Sequence, residues 1–180
     1  MIMKKSYLRL LCLILATVLM SLPLSSCNSE GKDDIKEVEQ SVVTAPNFSA
    51  TSAESGETVK LSDKFGKPIV INFWASWCYP CKSELPDFEE MYKKYGGEVE
   101  FMMVNLTSGR ETKEVAAAFI ESSGYTFPVY YDTMSSGAMA YGISAIPLTV
   151  FVNKDGSIAS YYNQMIDGET LENGIKSIIG

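Results

Sequence analysis

The sequence predicts an α/β domain built on one mixed sheet with helices on both faces. Three observations carry that expectation. Residues 68–74 (PIVINFW) form a near-continuous apolar run, as expected for a strand covered on both sides. Strand-like runs alternate along the chain with stretches whose apolar residues recur every three or four positions, the period of a helix. The chain has 180 residues, 46% hydrophobic and 21% charged, which suits one core plus an appendage.

Each element has its own justification. Residues 58–61 are a short strand candidate ahead of the 68–74 run. Cys81, Leu85, Phe88, Met91 or Tyr92, and Tyr95 share one helical face, and Gly96-Gly97 ends that helix. On it, Asp87, Glu89 and Glu90 are expected on the wet side. Residues 99–106 form a second buried strand, with Phe101, Met102 and Met103 in the core. Ser108 is a candidate cap for a helix over 111–122 with Val115, Phe119 and Ile120 inward and Gly124 as its stop.

Residues 127–131 read as a strand and 134–141 as an irregular or short helical connection. Residues 148–152 and 158–162 form a hairpin turning at Lys154-Asp155-Gly156. In Tyr130-Tyr131 and Tyr161-Tyr162, alternation places one ring of each pair inward. Asp167 or Gly168 opens a last helix with Leu171, Ile175, Ile178 and Ile179 on one face. This β-α-β-α-β-β-α succession shows no repeat and no second domain.

The N-terminus reads as an address. Lys4, Lys5 and Arg9 precede an apolar stretch of about 13 residues (10–22), short of the ~20 needed to cross ~30 Å of hydrocarbon. Leu24-Ser25-Ser26-Cys27 follows and resembles the bacterial lipobox, in which the cysteine is acylated and becomes the mature N-terminus. The expected organisation is therefore residues 1–26 as a lipoprotein signal peptide, 27–45 as a flexible acidic tether and 46–180 as the domain. A conventional cleavage site that leaves Cys27 as a spare thiol is the alternative. Processing at Cys27 leaves 12 basic against 22 acidic residues, a net charge of −10, so attachment to a membrane rests on the acyl chains. The expected location is the bacterial cell envelope, facing the periplasm or exterior.

Charge and composition exclude several functions. The full chain carries a net charge of −7, which leaves no cationic excess for nucleic acid. It contains no histidine, which removes His-based metal sites and Ser-His-Asp or Cys-His catalysis. No metal site and no cofactor is expected beyond a redox-active disulfide.

With the lipobox processed as its resemblance implies, Cys12 leaves with the signal peptide, Cys27 is acylated, and Cys78 and Cys81 alone remain as thiols. Trp77-Cys78-Tyr79-Pro80-Cys81 sits where a buried strand ends and a helix begins, so Cys78 meets the unpaired N–H groups and positive end of the helix. These favour its thiolate, at about 1.4 kcal/mol per pKa unit. Cys81 is on the same helical face one turn on, more buried and within bonding reach. Cys78 is thus the attacking and Cys81 the resolving cysteine. Pro80 suits the first helical turn, where its missing N–H costs little.

These residues carry a resemblance. The segment Asn72-Phe73-Trp74-Ala75-Ser76-Trp77-Cys78-Tyr79-Pro80-Cys81-Lys82 resembles the active-site segment of the thioredoxin superfamily, and Ala145-Ile146-Pro147-Leu148-Thr149 resembles its second signature. The Glu84-Leu85-Pro86 after the dithiol, the segment inserted before Pro147 and the Asn153-Lys154-Asp155-Gly156 turn are similar to the TlpA-like and ResA-like membrane-tethered thiol-disulfide oxidoreductases.

The resemblance implies a thioredoxin-like sheet with an N-terminal strand extension and a central insertion. It also implies a cis Ile146-Pro147 bond facing the dithiol. Ile146 then offers its backbone to a partner strand, and Trp77, Tyr79 and Pro80 line the surface that the partner meets. The implied partners are protein dithiols or disulfides, such as apocytochrome haem-attachment cysteines or copper-site cysteines, with a membrane thiol carrier as electron donor and the protein acting as a monomer. Thioredoxin's buried aspartate is replaced by Asn72, and Glu84 matches a glutamate that the ResA-like branch keeps near its cysteines. Glu84 is therefore a candidate to move the Cys81 proton, the alternative being an ordinary solvated helix carboxylate.

Two other functions fit the composition less well. A thiol peroxidase of the peroxiredoxin type would place Thr or Ser three residues before the attacking cysteine, where this chain has Ala75. A Cu(I) carrier would use Cys78, Cys81 and a methionine as soft ligands.

Overall fold

The computed structural model describes residues 42–180, so the expectations for the signal peptide, Cys27 and most of the tether lie outside the described residues. Seven strands form one sheet: β1 (Ser49–Ser52), β2 (Thr58–Lys60), β3 (Ile69–Trp74), β4 (Glu100–Asn105), β5 (Val129–Tyr131), β6 (Leu148–Val152) and β7 (Ile158–Tyr162). Their order across the sheet is β2-β1-β5-β4-β3-β6-β7. Strands β3, β4 and β5 are parallel, while β6 and β1 flank them antiparallel and β7 and β2 each pair antiparallel with those flanking strands. Four α-helices complete it: α1 (Tyr79–Tyr95), α2 (Lys113–Ser123), α3 (Ser136–Ala140) and α4 (Gly168–Ile179). This is the expected mixed α/β, thioredoxin-like fold with an N-terminal strand extension. Among the described residues, no helix is long and apolar enough to cross a membrane.

Alternation along β3 sorts the core into two layers. Val70 and Trp74 face a cluster with Leu85 and Phe88 of α1, Ala116 of α2 and Leu171, Ile175 and Ile178 of α4. Ile69, Ile71 and Phe73 face the opposite cluster, with Phe48, Leu61, Met102, Val104 and Val150. The long helices cover the first face. The second is covered by a 3-10 turn over Leu61–Lys64, the five-residue α3 and the chain ahead of β1.

Several expectations change in detail. The strand β1, with the sequence SATS, carries no apolar alternation to announce it. Thr44 bridges Ser157 and Ala45 is buried, so packed structure reaches N-terminal of Pro46. The cap of α2 is Thr112, whose hydroxyl accepts from Val115 N at 3.2 Å, rather than Ser108. That start turns Ala116 inward and leaves Val115 exposed. Gly124, at φ 70°, ends α2 as expected. Tyr130 and Tyr131 are both buried because β5 has a core on each face. Tyr161 faces out on the edge strand β7 and Tyr162 is half-buried. Glu89 is buried rather than wet, since its carboxylate accepts from Thr126 N and Oγ1, both at 2.7 Å.

Candidate active site

The dithiol is in its oxidised form. Cys78 and Cys81 are bonded, with their Cα atoms 5.3 Å apart. Cys78 is the N-cap of α1, with extended backbone angles, and its sulfur accepts the Cys81 N–H at 3.2 Å. No acidic residue stands in the first turn of α1, so nothing there offsets the positive end of the helix. One of the donors expected to favour a thiolate, the Cys81 N–H, is therefore aimed at the Cys78 sulfur. Pro80 occupies the second position of the helix, where no N–H is needed.

The surrounding surface is built by the two signature segments. The Ile146-Pro147 bond is cis, and the Ile146 carbonyl oxygen lies 3.7 Å from the Cys78 sulfur. A disulfide sulfur has no proton to donate, so this is a contact. In the reduced protein the Cys78 thiol can donate there. Trp77, Tyr79 and Pro80 stand exposed around the cysteines. Tyr79 projects furthest, at 77% exposure, while Trp77 is 48% exposed and lies beneath the Arg110 guanidinium, 4.5 Å from ring centroid to Cζ. A shallow groove of about 330 Å³, lined by Trp77, Leu106, Ser108 and residues 143–146, opens beside this rim. A larger cavity of about 500 Å³ runs along β7 by Val42 and Val43.

Behind the disulfide, Cys81 is fully buried and Glu84 is only 1% exposed. Glu84 is thus no solvated helix carboxylate. Its Oε1 accepts from Asn72 Nδ2 at 2.7 Å and its Oε2 from Ile166 N at 3.0 Å. Alternation directs Asn72 from β3 toward α1, and its cross-strand neighbour Thr149 on β6 accepts a second bond from the same Nδ2 at 3.1 Å. Burial pushes the Glu84 carboxyl up to about 7, with the nearby Asp87 charge adding to the rise and the two hydrogen bonds opposing it.

A further buried carboxylate, hydrogen-bonded to the residue two before Cys78, has almost no signal in its sequence pattern. Glu111, expected as the first residue of a helix, lies in the loop before α2 and is 2% exposed. It accepts from Ser76 N at 2.8 Å, Ser76 Oγ at 2.7 Å and Asn105 Nδ2 at 2.7 Å. The only trace in the sequence is its place just before the capping Thr112. Cys27 lies outside the described residues.

The model of the AhpC/TSA family matches residues 43–161. The chain belongs to that family. It is 32% identical over 177 residues to the thiol-disulfide oxidoreductase ResA of Bacillus thuringiensis, covering 98% of this chain and 99% of that protein. Among solved structures, StoA from Bacillus subtilis superposes with a TM-score of 0.64 at 28% identity, covering 74% of this chain and 98% of that one. The exposed lipoprotein thioredoxin of Streptococcus pneumoniae superposes with a TM-score of 0.60 at 25% identity, covering 73% and 98%. Like its ResA relatives, this member of the family is a thiol-disulfide oxidoreductase with a Cys-x-x-Cys pair. The peroxidase pattern also fails at the nucleophile. Ala75 brings a buried methyl where a hydroxyl would be needed, and contributes only its carbonyl, which accepts from Cys78 N at 3.1 Å.

Proposed function

We propose that the protein is a lipid-anchored, extracytoplasmic oxidoreductase that reduces disulfides in client proteins, with Cys78 attacking and Cys81 resolving. The observation that carries this reading is the asymmetry of the pair. Cys78 is 4% exposed, with its sulfur beside the Ile146 carbonyl and accepting a helix N–H among the exposed Trp77, Tyr79 and Pro80, whereas Cys81 is fully buried.

In the reduced protein the Cys78 thiolate attacks one sulfur of the client disulfide, and the other client sulfur leaves as a thiolate. Cys81 then loses its proton, and Glu84, three residues on in the same helix and with a pKa of about 7, is the candidate acceptor near neutral pH. The Cys81 thiolate attacks the Cys78 sulfur, the second client sulfur leaves, and the Cys78–Cys81 disulfide closes. Two electrons have passed to the client and no cofactor takes part. Regeneration requires two electrons from an external dithiol, in keeping with a membrane thiol carrier. Trp77, Tyr79, Pro80, Ile146 and Pro147 meet the client, whose extended backbone can pair at Ile146. Apocytochromes and copper-site proteins supply cysteines of the right kind.

The Leu24-Ser25-Ser26-Cys27 lipobox supports anchoring through acyl chains at the envelope. The similarity to a lipoprotein thioredoxin is in keeping with it.

The test is the reduction potential of the Cys78–Cys81 couple, measured against dithiothreitol, together with Cys81→Ser in cells. A potential at or below about −270 mV and client proteins trapped on Cys78 support a reductant. A potential near −120 mV marks a disulfide donor and overturns the direction. Tight Cu(I) binding with no exchange would favour the carrier instead. Cys27→Ala is expected to move the protein from the membrane to the soluble fraction.

A further inference from the structure

We infer that Glu111 is a positioning residue for thiol-disulfide exchange, holding Ser76 by hydrogen bonds so that Cys78 stays over the N-terminus of α1 when the disulfide is open. The need for such a holder follows from the reaction. In the oxidised protein the bond to Cys81 fixes the Cys78 sulfur. Once that bond opens, the sulfur loses its covalent tether and keeps the Cys81 N–H and its contact with Ile146 as polar neighbours. Its position then depends on the loop that enters the helix, and small misplacements of a reacting atom are costly in rate.

That loop is gripped through Ser76. Glu111 Oε1 accepts from Ser76 N at 2.8 Å and from Asn105 Nδ2 at 2.7 Å, while Oε2 accepts from Ser76 Oγ at 2.7 Å. Asn105 is the last residue of β4 and its Oδ1 accepts from Thr107 Oγ1 at 2.9 Å, so the grip is tied to the sheet. One residue beyond the clamp, Trp77 is covered by Arg110, the neighbour of Glu111. The segment ahead of α2 thus engages both residues that precede Cys78. A buried carboxylate with three donors in place is a rigid support, since charge-assisted hydrogen bonds are the stronger class.

The pattern of bonds separates hydrogen bonding from charge. In Glu111→Gln, the amide oxygen at the Oε1 position keeps both N–H donors, and the amide nitrogen can donate to Ser76 Oγ, so the clamp survives without its charge. Glu111→Asp keeps the charge, but its carboxylate is one methylene short of Ser76. Each variant is reduced and mixed with oxidised glutathione, and Cys78 alkylation is followed against pH. Cys78 attacks one glutathione sulfur, Cys81 then closes the protein disulfide, and two glutathione thiolates are released.

Glu111→Gln is expected within about twofold of wild type. Glu111→Asp should react about tenfold or more slowly, with the apparent thiol pKa of Cys78 raised because its sulfur drifts from the helix N–H. Oxidised Glu111→Asp should keep its near-UV circular dichroism, since the disulfide still fixes Cys78. Gln as slow as Asp, or Asp equal to wild type, would overturn the inference. So would a slowing of Asp that merely tracks loss of folded protein. Glutathione reports on exchange itself, so the result stands apart from which client the protein reduces.

Discussion

Asn72 Nδ2 donates to Glu84 Oε1 at 2.7 Å, so the central strand and the first helix meet through an amide and a carboxyl in the middle of an apolar core. Asn72 Oδ1, buried beside it, has no partner in this arrangement. If Glu84 is protonated and the Asn72 amide turns over, Oδ1 can accept from both the carboxyl O–H and the Thr149 hydroxyl. The turned-over amide would leave its N–H groups where Oδ1 had no partner, so hydrogen bonding can serve either state of the carboxyl and burial is what raises its pKa.

The sign of the resulting pH dependence follows. The carboxyl titrates near 7 when folded and near 4.5 when unfolded, so between those values the folded state binds the extra proton. Glu84 then favours folding most below about pH 4.5, and this contribution is lost as pH rises to about 7, by roughly 3 kcal/mol in all. Urea unfolding of wild type and Glu84→Gln across pH 4–8 should show the stability difference shifting toward the variant over that window and staying flat above it. If Glu84 also takes up the Cys81 proton, the same variant should flatten the pH dependence of thiol reactivity. Parallel stability curves would contradict the linkage.

Gly174 illustrates packing that overrides helix propensity. It lies within α4, where Ala would ordinarily be better by about 1 kcal/mol. A Cβ there would sit 2.2 Å from Phe151 Cζ, in a ring that is fully buried and packed edge-on against Tyr162. Gly174→Ala should therefore lower stability, by about 1–3 kcal/mol of overpacking less the propensity gain. The readout is a lower urea midpoint with an unchanged slope. A rise in midpoint would mean that Phe151 moves freely.

What the sequence disclosed and what it hid divide along physical lines. Strand β3, helix α1 and the β6–β7 hairpin are legible because apolar periodicity and turn residues are local properties. The dithiol is legible because its chemistry needs two cysteines at a helix start, and Pro147 because its signature follows in order. Strand β1 is hidden because a four-residue polar strand is held by its neighbours β2 and β5. The sequence could not choose between an exposed and a buried Glu84, because the deciding partner, Ile166 N, lies 82 positions away. Glu111 was hidden for a related reason, since Ser76 is 35 positions upstream of it. Buried polar side chains depend on donors brought in by the fold, and no periodicity records them.

Glu89 belongs to the same class and yields the opposite pH sign. Its carboxylate accepts from Thr126 N and Oγ1 and from Phe127 N at 3.3 Å, and it pairs with Lys93 at 3.0 Å. Burial alone would raise its pKa, but the Thr126 bonds and Lys93 together hold it below the usual carboxylate range. A depressed folded pKa means the stabilisation is fully present above the unfolded value and is lost as pH falls through the folded one. Glu89→Ala leaves two backbone N–H groups ahead of β5 without their acceptor and should cost about 2–3 kcal/mol at pH 7. Near pH 3, where wild type also begins to lose the charge, the gap between the urea midpoints of the two proteins should narrow. A gap that is constant with pH would show that Glu89 contributes through packing alone.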